Sequence, residues 1–260
     1  MPALADIADD LNQVRRKGCG KHPGVSRPLR ASKDLDIVAR EWSKGGRLRD
    51  AMERGDYRFT NSASMHVEGS ADRNAILALL QANYCETITD ATFKEIGVYQ
   101  QRNGIWIVVA TPFAAPGVKD APQVGKEVLS LVNAARGKAR KCGRKQFAAV
   151  PPLTLSAVLS RAALLHSQDM ANKNFFEHRG SDGSLVGERA ARVGYKWRQV
   201  GENIANGAET AETVVDMWLK SPGHCANIMA SGFTEMGIAF AVDRKSDAGI
   251  HWTQVFARPQ

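Results

Sequence analysis

The chain has 260 residues, of which 43% are hydrophobic and 24% are charged, and its formal net charge is +8. This length is about twice that of a common domain, so we expect two domains that each bury a core. The composition excludes a mainly disordered chain, and no apolar stretch is long enough to cross a bilayer.

The N-terminus lacks the apolar segment of a signal peptide. However, Ala3-Leu4-Ala5 before Asp6 resembles the remnant of a small-residue cleavage site. We therefore interpret Met1 as a start added to a mature chain and expect an extracytoplasmic protein, periplasmic or secreted. The alternative is a cytosolic protein with reduced cysteines.

The cysteines form no CxxC pair, which argues against a zinc ribbon or a redox dithiol. Cys19 and Cys142 each follow a basic helical tail, and Cys85 and Cys225 each precede a similar segment. We predict the disulfides Cys19–Cys85 and Cys142–Cys225, one in each half, and such bonds indicate export. Four buried free thiols are the alternative.

The two halves of the chain align in order, as an internal repeat does. Two pairs of segments carry much of the similarity: TFKEIGVYQQ (92–101) with GFTEMGIAFA (232–241), and GIWIVVATPF (104–113) with IHWTQVFARP (250–259). The second pair aligns Trp106 with Trp252. We predict a first domain over 1–113, a Pro-, Gly- and Ala-rich linker over 114–123, and a second domain over 124–260.

Apolar periodicity predicts the elements of the second half. In chain order they are helices near 126–136, 156–172, 185–193 and 209–220, then strands near 235–242 and 249–256. Ser156 can cap the second helix, and Ser221-Pro222-Gly223 ends the fourth because proline cannot continue a helix. Helices followed by a terminal hairpin indicate an α/β layered domain with an antiparallel sheet.

A basic run lies near the start of the second half, comprising Arg136, Lys138, Arg140, Lys141, Arg144 and Lys145. We interpret it as a solvated loop, because no aromatic residues alternate with the charges. It predicts only weak, salt-sensitive attraction to anionic polymers.

Four segments of the second half resemble one known family: FFEHRGSDG (175–183), GENIA (201–205), WLKSPGHCANI (218–228) and HWTQVF (251–256). In this order they are similar to the bacterial branch of the CAP family, which includes cysteine-rich secretory proteins, antigen 5 and plant pathogenesis-related proteins. The resemblance implies a three-layer α-β-α sandwich, twice in tandem, with a degenerate first copy that lacks these motifs.

The resemblance also implies a cleft with two histidines and two acidic residues, which fall on His178, Glu188, Glu202 and His251. His178 and His251 could hold Zn²⁺ or another divalent metal with an open position. The tetrad could equally be a structural hydrogen-bond network. In the first copy Ile105 aligns with His251, so we expect no tetrad there.

We therefore predict an exported binding module for a lipid, a cell-wall component or a protein partner, acting through the cleft of the second domain. The alternative is a metal-dependent hydrolase in which Glu188 or Glu202 is the general base. His166 and His224 are expected to be structural.

Overall fold

The computed structural model describes residues 4–69, 72–102, 104–243 and 245–260. The predicted cleavage remnant at Ala3 lies outside these residues, and the side chains of 4–6 are not described. The chain divides into two compact units, Met1–Phe113 and Ala114–Gln260. No described helix is long and apolar enough to span a bilayer.

The first unit is a three-layer arrangement around one sheet. Its elements are α1 (Leu4–Lys17), β1 (Arg30–Ala31), α2 (Lys33–Trp42), α3 (Leu48–Arg54), β2 (Phe59–Glu68), α4 (Arg73–Thr89), β3 (Glu95–Gln101) and β4 (Gly104–Pro112). The strand order is β1-β3-β4-β2, and only the short β1 runs parallel to its neighbour. Val108 packs with α2 and α3, and Val109 packs with α1 and α4. Because neighbouring strand residues face opposite ways, helices cover both faces of the sheet.

The second unit follows a similar order of elements, with a short hairpin and one further helix added. They are α5 (Ala121–Arg136), β5 (Arg140–Cys142), β6 (Lys145–Phe147), β7 (Thr154–Leu155), α6 (Ala157–Lys173), α7 (Val186–Arg192), β8 (Trp197–Asn206), α8 (Ala211–Lys220), α9 (Pro222–Ile228), β9 (Glu235–Val242) and β10 (Ile250–Pro259). The strand order is β7-β9-β10-β8. Ala239 packs on the side of α6, while its neighbour Ile238 lies against Gly125 of α5. The predicted three-layer α-β-α sandwich is confirmed in this unit, with one short parallel edge strand added to the antiparallel sheet.

Local signals explain where the helices begin and end. Ser156 caps α6 by accepting a hydrogen bond from the Leu159 backbone N–H, as predicted. Helix α5 begins at Ala121, inside the segment that the sequence assigns to a linker. The predicted turn after α8 instead starts a further helix, because Pro222 occupies the first position of α9, where its missing N–H has no cost.

A buried arginine anchors the same place in each unit. The Arg136 guanidinium donates to the carbonyls of Pro151, Ile228, Ala230 and Phe233, and burial lowers its pKa. Arg15 donates in the same way to the carbonyls of Arg27, Ile88, Asp90 and Phe93. Arg136 is therefore not part of an exposed basic loop, which corrects the sequence interpretation. The rest of that run lies on the β5–β6 hairpin and its approach, and its attraction to anionic polymers stays a prediction.

Both predicted disulfides are confirmed. Cys19 is bonded to Cys85 and Cys142 to Cys225, with Cα atoms 5.2 Å and 5.5 Å apart. Cys142 and Cys225 are both buried, whereas Cys85 is only partly buried. Each bond closes within its own unit.

The sheet registers correct the alignment of the last strands by one residue. Ala110 pairs with Glu95 and Ala257 pairs with Glu235, and each glutamate accepts a tyrosine hydroxyl at an equivalent place. Trp106 therefore corresponds to Thr253 and not to Trp252. A shift of one residue moves a side chain to the other face of a sheet. The counterpart of His251 is thus Gly104 and not Ile105.

Candidate functional site

The centre of the site is the carboxylate of Glu202, which lies on β8 and is buried. His178 Nδ1 lies 2.9 Å from its Oε1 atom, and Arg189 Nη2 donates to its Oε2 atom over 2.6 Å. His166 Nε2 is 3.9 Å from the same Oε1 atom. One buried carboxylate therefore has a cationic partner and two imidazoles around it.

Arg189 of α7 ties the loop that carries His178 to the sheet. Its guanidinium also donates to the Ser184 carbonyl over 2.7 Å and to the His178 carbonyl over 3.1 Å. A buried ion pair is stable only when its remaining hydrogen-bonding groups are satisfied, and these carbonyls satisfy them. The loop is thereby held so that His178 meets Glu202.

The three histidines near this carboxylate differ in environment. The His178 side chain is 54% exposed, whereas that of His166 is fully buried. Burial lowers the pKa of His166, opposed in part by the charge of Glu202. Burial and, secondarily, the charge of His178 lower the pKa of His224. The contact with Glu202 favours the His178 tautomer with hydrogen on Nδ1, which leaves Nε2 for a ligand.

A cleft of about 300 Å³ opens beside this cluster, between α6, α7 and the loop before α7. Its lining residues are Leu165, His166, Asp169, Lys173, Ser181, Asp182, Ser184, Arg189 and Arg192. The charged groups are largely paired with one another. Asp169 accepts from the Ser181 hydroxyl over 2.6 Å and meets Lys173 at 3.1 Å, and Asp182 contacts Arg192.

On the other face of the sheet, hydrogen bonds link residues from three of the motifs, GENIA, WLKSPGHCANI and HWTQVF. Asn203 Nδ2 donates to the Gln254 side chain over 3.1 Å and to the His224 carbonyl over 3.2 Å. Asn227 Nδ2 donates to the Asn203 side chain over 2.9 Å and to the Glu202 carbonyl over 3.1 Å. These amides hold α9 against β8 and so fix the strand that presents Glu202.

The sequence of this unit matches a known family. Residues 129–256 match the model of the cysteine-rich secretory protein family, CAP. The second unit is a CAP domain. The chain is also 36% identical over 131 residues to the uncharacterized protein YkwD of Bacillus subtilis. It is 29% identical over 133 residues to the uncharacterized membrane protein YlbC of the same organism. These matches cover 50% and 51% of this chain but only 46% and 34% of those proteins.

Solved structures are similar at low sequence identity. An extracellular protein containing an SCP domain from Bacillus anthracis is 18% identical, with a TM-score of 0.45, covering 81% of this chain and 70% of that one. An outer surface protein of Borrelia burgdorferi is 17% identical, with a TM-score of 0.43, covering 55% of this chain and 95% of that one.

The CAP domain does not bring all four predicted tetrad residues into contact. His178 and Glu202 meet, as expected. Glu188 is exposed, and its carboxylate accepts the Leu185 backbone N–H over 2.7 Å at the start of α7. His251 is buried and pairs with Asn206, four residues along β8 from Glu202. At about 3.4 Å per residue, that step places the backbone of Asn206, and of its partner His251, roughly 14 Å along the sheet from that of Glu202.

These positions bear on the predicted metal site, which stays a prediction. His178 Nδ1 is engaged with Glu202, and His251 Nδ1 is buried without a hydrogen-bond partner among the described residues. Over the described part of the chain, no group of three or more His, Cys, Asp or Glu side chains is arranged to hold a metal ion. Zinc binding by His178 and His251 stays a prediction that the geometry does not favour.

The sequence motifs did not mark Arg189, His166 and His224 as site residues. Arg189 looked like one of several helix arginines, and only its burial distinguishes it from Arg192. His166 and His224 were interpreted as structural. His166 sits at helical spacing among apolar residues, which is the one signal in the sequence that its ring faces the sheet.

Proposed function

We propose that the CAP domain is a binding module whose cleft beside His178 and Glu202 holds a lipid, a cell-wall component or a protein partner. The observation that carries this proposal is the engagement of both Glu202 oxygens, one by His178 and one by Arg189. A carboxylate held in this way orients its neighbours. It is poorly placed as a general base, because both of its oxygens are already occupied by His178 and Arg189.

An extracytoplasmic location is part of the proposal. Disulfides persist in oxidising compartments, and each unit contains one.

A hydrolase is the alternative function, and the cleft offers it little support. Ser181 is the hydroxyl in the cleft nearest to a basic side chain, since Lys173 donates a hydrogen bond to it. Lys173 also contacts Asp169, and its amine is the donor to Ser181, so it is not placed to accept the serine proton. A metal-dependent mechanism would require zinc binding by His178 and His251, which stays a prediction.

Co-sedimentation of the full chain tests the binding proposal. We expect the protein to pellet with purified peptidoglycan sacculi or with phosphatidylcholine–phosphatidylglycerol vesicles, and Lys173→Ala, in the cleft lining, to reduce the bound fraction. Lys220→Ala is the matched control, because Lys220 also pairs with an aspartate one turn away but is exposed on α8 outside the cleft lining. If Lys173→Ala pellets as well as the wild type with both probes, the cleft is not the binding surface.

The same incubations separate binding from turnover. For a binding module, mass spectrometry of the glycan and lipid should show unchanged molecules. New fragments that disappear in Glu202→Gln would establish the hydrolase instead. A stoichiometric zinc heat in calorimetry at about pH 7.5, lost in the double variant His178→Ala with His251→Ala, would point to the metal-dependent form.

We also infer that the first unit is a degenerate copy of the same domain. Support comes from the equivalent strand order of the two four-stranded sheets, the matching disulfides and the matching anchors Arg15 and Arg136. In the sheet register, Ser64 takes the place of Glu202, and Gly104 takes that of His251. The first unit would then have a role different from that of the cleft in the CAP domain.

A further inference from the structure

A basic cleft lies at the edge of the first unit's sheet, beside the short strand β1. Its volume is about 480 Å³. Ligand sites commonly have volumes of about 300–1,000 Å³, so the cleft is large enough for a small molecule. Its lining residues are Arg27, Pro28, Arg30 and Lys94. Most of this lining is cationic, and the cleft therefore attracts an anion.

Hydrogen bonds fix the backbone that carries these cations. The Arg27 carbonyl accepts from the buried Arg15 guanidinium over 2.9 Å. The Arg30 backbone N–H donates to the Lys94 carbonyl, also over 2.9 Å, so that these two residues lie side by side on neighbouring strands. Because the backbone is already ordered, a ligand that binds here orders little more than the side chains.

The cations of the cleft have hydrogen-bond donors to spare. Within the part of the chain that the structure describes, neither Arg27 nor Lys94 makes a side-chain hydrogen bond or an ion pair. Arg30 is paired with Glu95 over 2.8 Å, but its side chain is 72% exposed and keeps further N–H groups for another acceptor. The three cations and Glu95 together carry a net charge of +2.

The CAP domain builds the same edge of its sheet without these charges. The equivalent positions, set by the arginine anchors and the strand pairings, carry Pro151, Thr154 and Thr234. The Thr154 backbone N–H donates to the Thr234 carbonyl over 3.0 Å, as that of Arg30 does to Lys94. This equivalence rests on the inference that the two units are copies. The fold therefore does not require the cations, which favours a binding role for them.

We propose that this cleft binds a phosphate group, either free or carried by a larger molecule. A phosphate near neutral pH has a charge close to −2, which balances the net charge of the cleft, and it presents several oxygens. Arg27 and Arg30 have the forked donors that suit phosphate oxygens, and Lys94 adds a compact charge. The volume beyond one phosphate leaves room for the group that carries it.

Two other ligand classes fit less well. A single carboxylate has one negative charge and two oxygens, so it leaves part of the positive charge of the cleft unbalanced. An acyl chain needs an apolar lining, whereas Pro28 is the one apolar residue among the described residues that line the cleft.

Isothermal calorimetry of the full chain at low ionic strength tests the proposal, with inorganic phosphate and acetate as probes. We expect saturable binding of phosphate and no binding of acetate. Arg27→Gln and Lys94→Thr should each weaken phosphate binding by about 10-fold or more, because each removes a charge-assisted hydrogen bond. Lys94→Thr is compatible with the fold, since the CAP domain has Thr234 at the equivalent position.

Co-sedimentation with vesicles of phosphatidylcholine and phosphatidic acid identifies the source of the phosphate. Pelleting that is lost in both Arg27→Gln and Lys94→Thr would indicate a lipid headgroup. Calorimetric binding of phosphate without such pelleting would indicate a soluble phosphate compound. Both results support a phosphate site in this cleft.

Matched controls separate this cleft from the other cations of the chain. Arg49→Gln removes a guanidinium that is 80% exposed on α3, and Lys44→Thr removes an amine that is 62% exposed after α2. Both should bind phosphate like the wild type. Lys173→Ala should do so too, which distinguishes this site from the CAP cleft.

Three results would overturn the proposal. The first is that neither inorganic phosphate nor the phosphatidic acid vesicles bind. The second is that Arg27→Gln and Lys94→Thr bind as the wild type does. The third is that acetate binds as tightly as phosphate.

Discussion

At the scale of single residues, the site depends on a buried charge and its partner. Glu202 could be located from the GENIA motif, because the resemblance of that motif to the CAP family is specific. Its partner Arg189 could not, since the contact joins residues on different elements and nothing in the local sequence separates Arg189 from Arg192. Burial distinguishes them: the Arg189 side chain is 7% exposed and that of Arg192 is 57% exposed.

This contrast predicts the effect of removing each guanidinium. Arg189→Met leaves the Glu202 carboxylate buried with only His178, so the free energy of unfolding should fall by about 3–5 kcal/mol. Arg192→Met breaks only an exposed pair with Asp182 and should lower the free energy of unfolding far less than Arg189→Met does. Urea unfolding followed by circular dichroism measures both. Equal losses in the two variants would contradict a special role for the Arg189–Glu202 pair.

At the scale of elements, the sequence predicted most where local signals are strong. Strand 235–242 was located to the residue, and α6 was located within one residue by its Ser156 cap. Strand β8 was not predicted, because GENIA carries a buried polar residue on each face, which breaks the alternation that marks a strand. The alignment of β4 with β10 was wrong by one residue, because it depended on matching Trp106 with Trp252.

A buried arginine stabilises the equivalent region of each unit, Arg15 in the first and Arg136 in the second. Arg136→Met leaves the carbonyls at the C-terminal end of α9 without their donors, so unfolding should become easier by about 3 kcal/mol or more. Arg15→Met should do the same at the end of α4. Arg144→Met, on the exposed turn between β5 and β6, is the control and should change the free energy by about 0.5 kcal/mol or less. Chemical denaturation reports all three, and a neutral Arg136→Met would refute the anchoring role.

At the scale of the whole molecule, we infer one architecture in two units, of which the second matches the CAP family. Sequence similarity between the halves pointed to this architecture, because core residues and cysteines repeat. It could not show which tetrad residues meet, since the motifs do not reveal that Glu188 accepts the Leu185 backbone N–H or that His251 pairs with Asn206. Contacts between residues far apart in the chain depend on sheet register, and the motifs do not specify register.

The histidines of the CAP domain predict a pH dependence of its stability. Burial lowers the pKa values of His166, His224 and His251 below 6.5. Between those lowered values and 6.5 the unfolded domain binds more protons than the folded one, so stability is complete above about pH 6.5 and falls as the pH drops below it. Calorimetric midpoints between about pH 7.5 and 5.5 should show this fall.

The pH effect has an internal control. His251→Gln should make the calorimetric midpoint depend less on pH over this range. The variant removes one buried histidine that the folded domain holds in its neutral form. His22→Gln, in the first unit, should leave the curve of the CAP domain as it is. A midpoint that rises on acidification through this range would contradict the sign of the argument.

The unequal burial of the two disulfides sets the order in which a reductant opens them. A thiolate must reach a sulfur atom to exchange with it, and Cys85 is partly exposed whereas Cys142 and Cys225 are enclosed. Under native conditions, mild dithiothreitol followed by alkylation should therefore label Cys19 and Cys85 while the other pair stays intact, as peptide mass spectrometry would show. In a changing redox environment, the first unit would lose its covalent link while the CAP domain kept its own. Simultaneous labelling of both pairs in the folded protein would contradict this order.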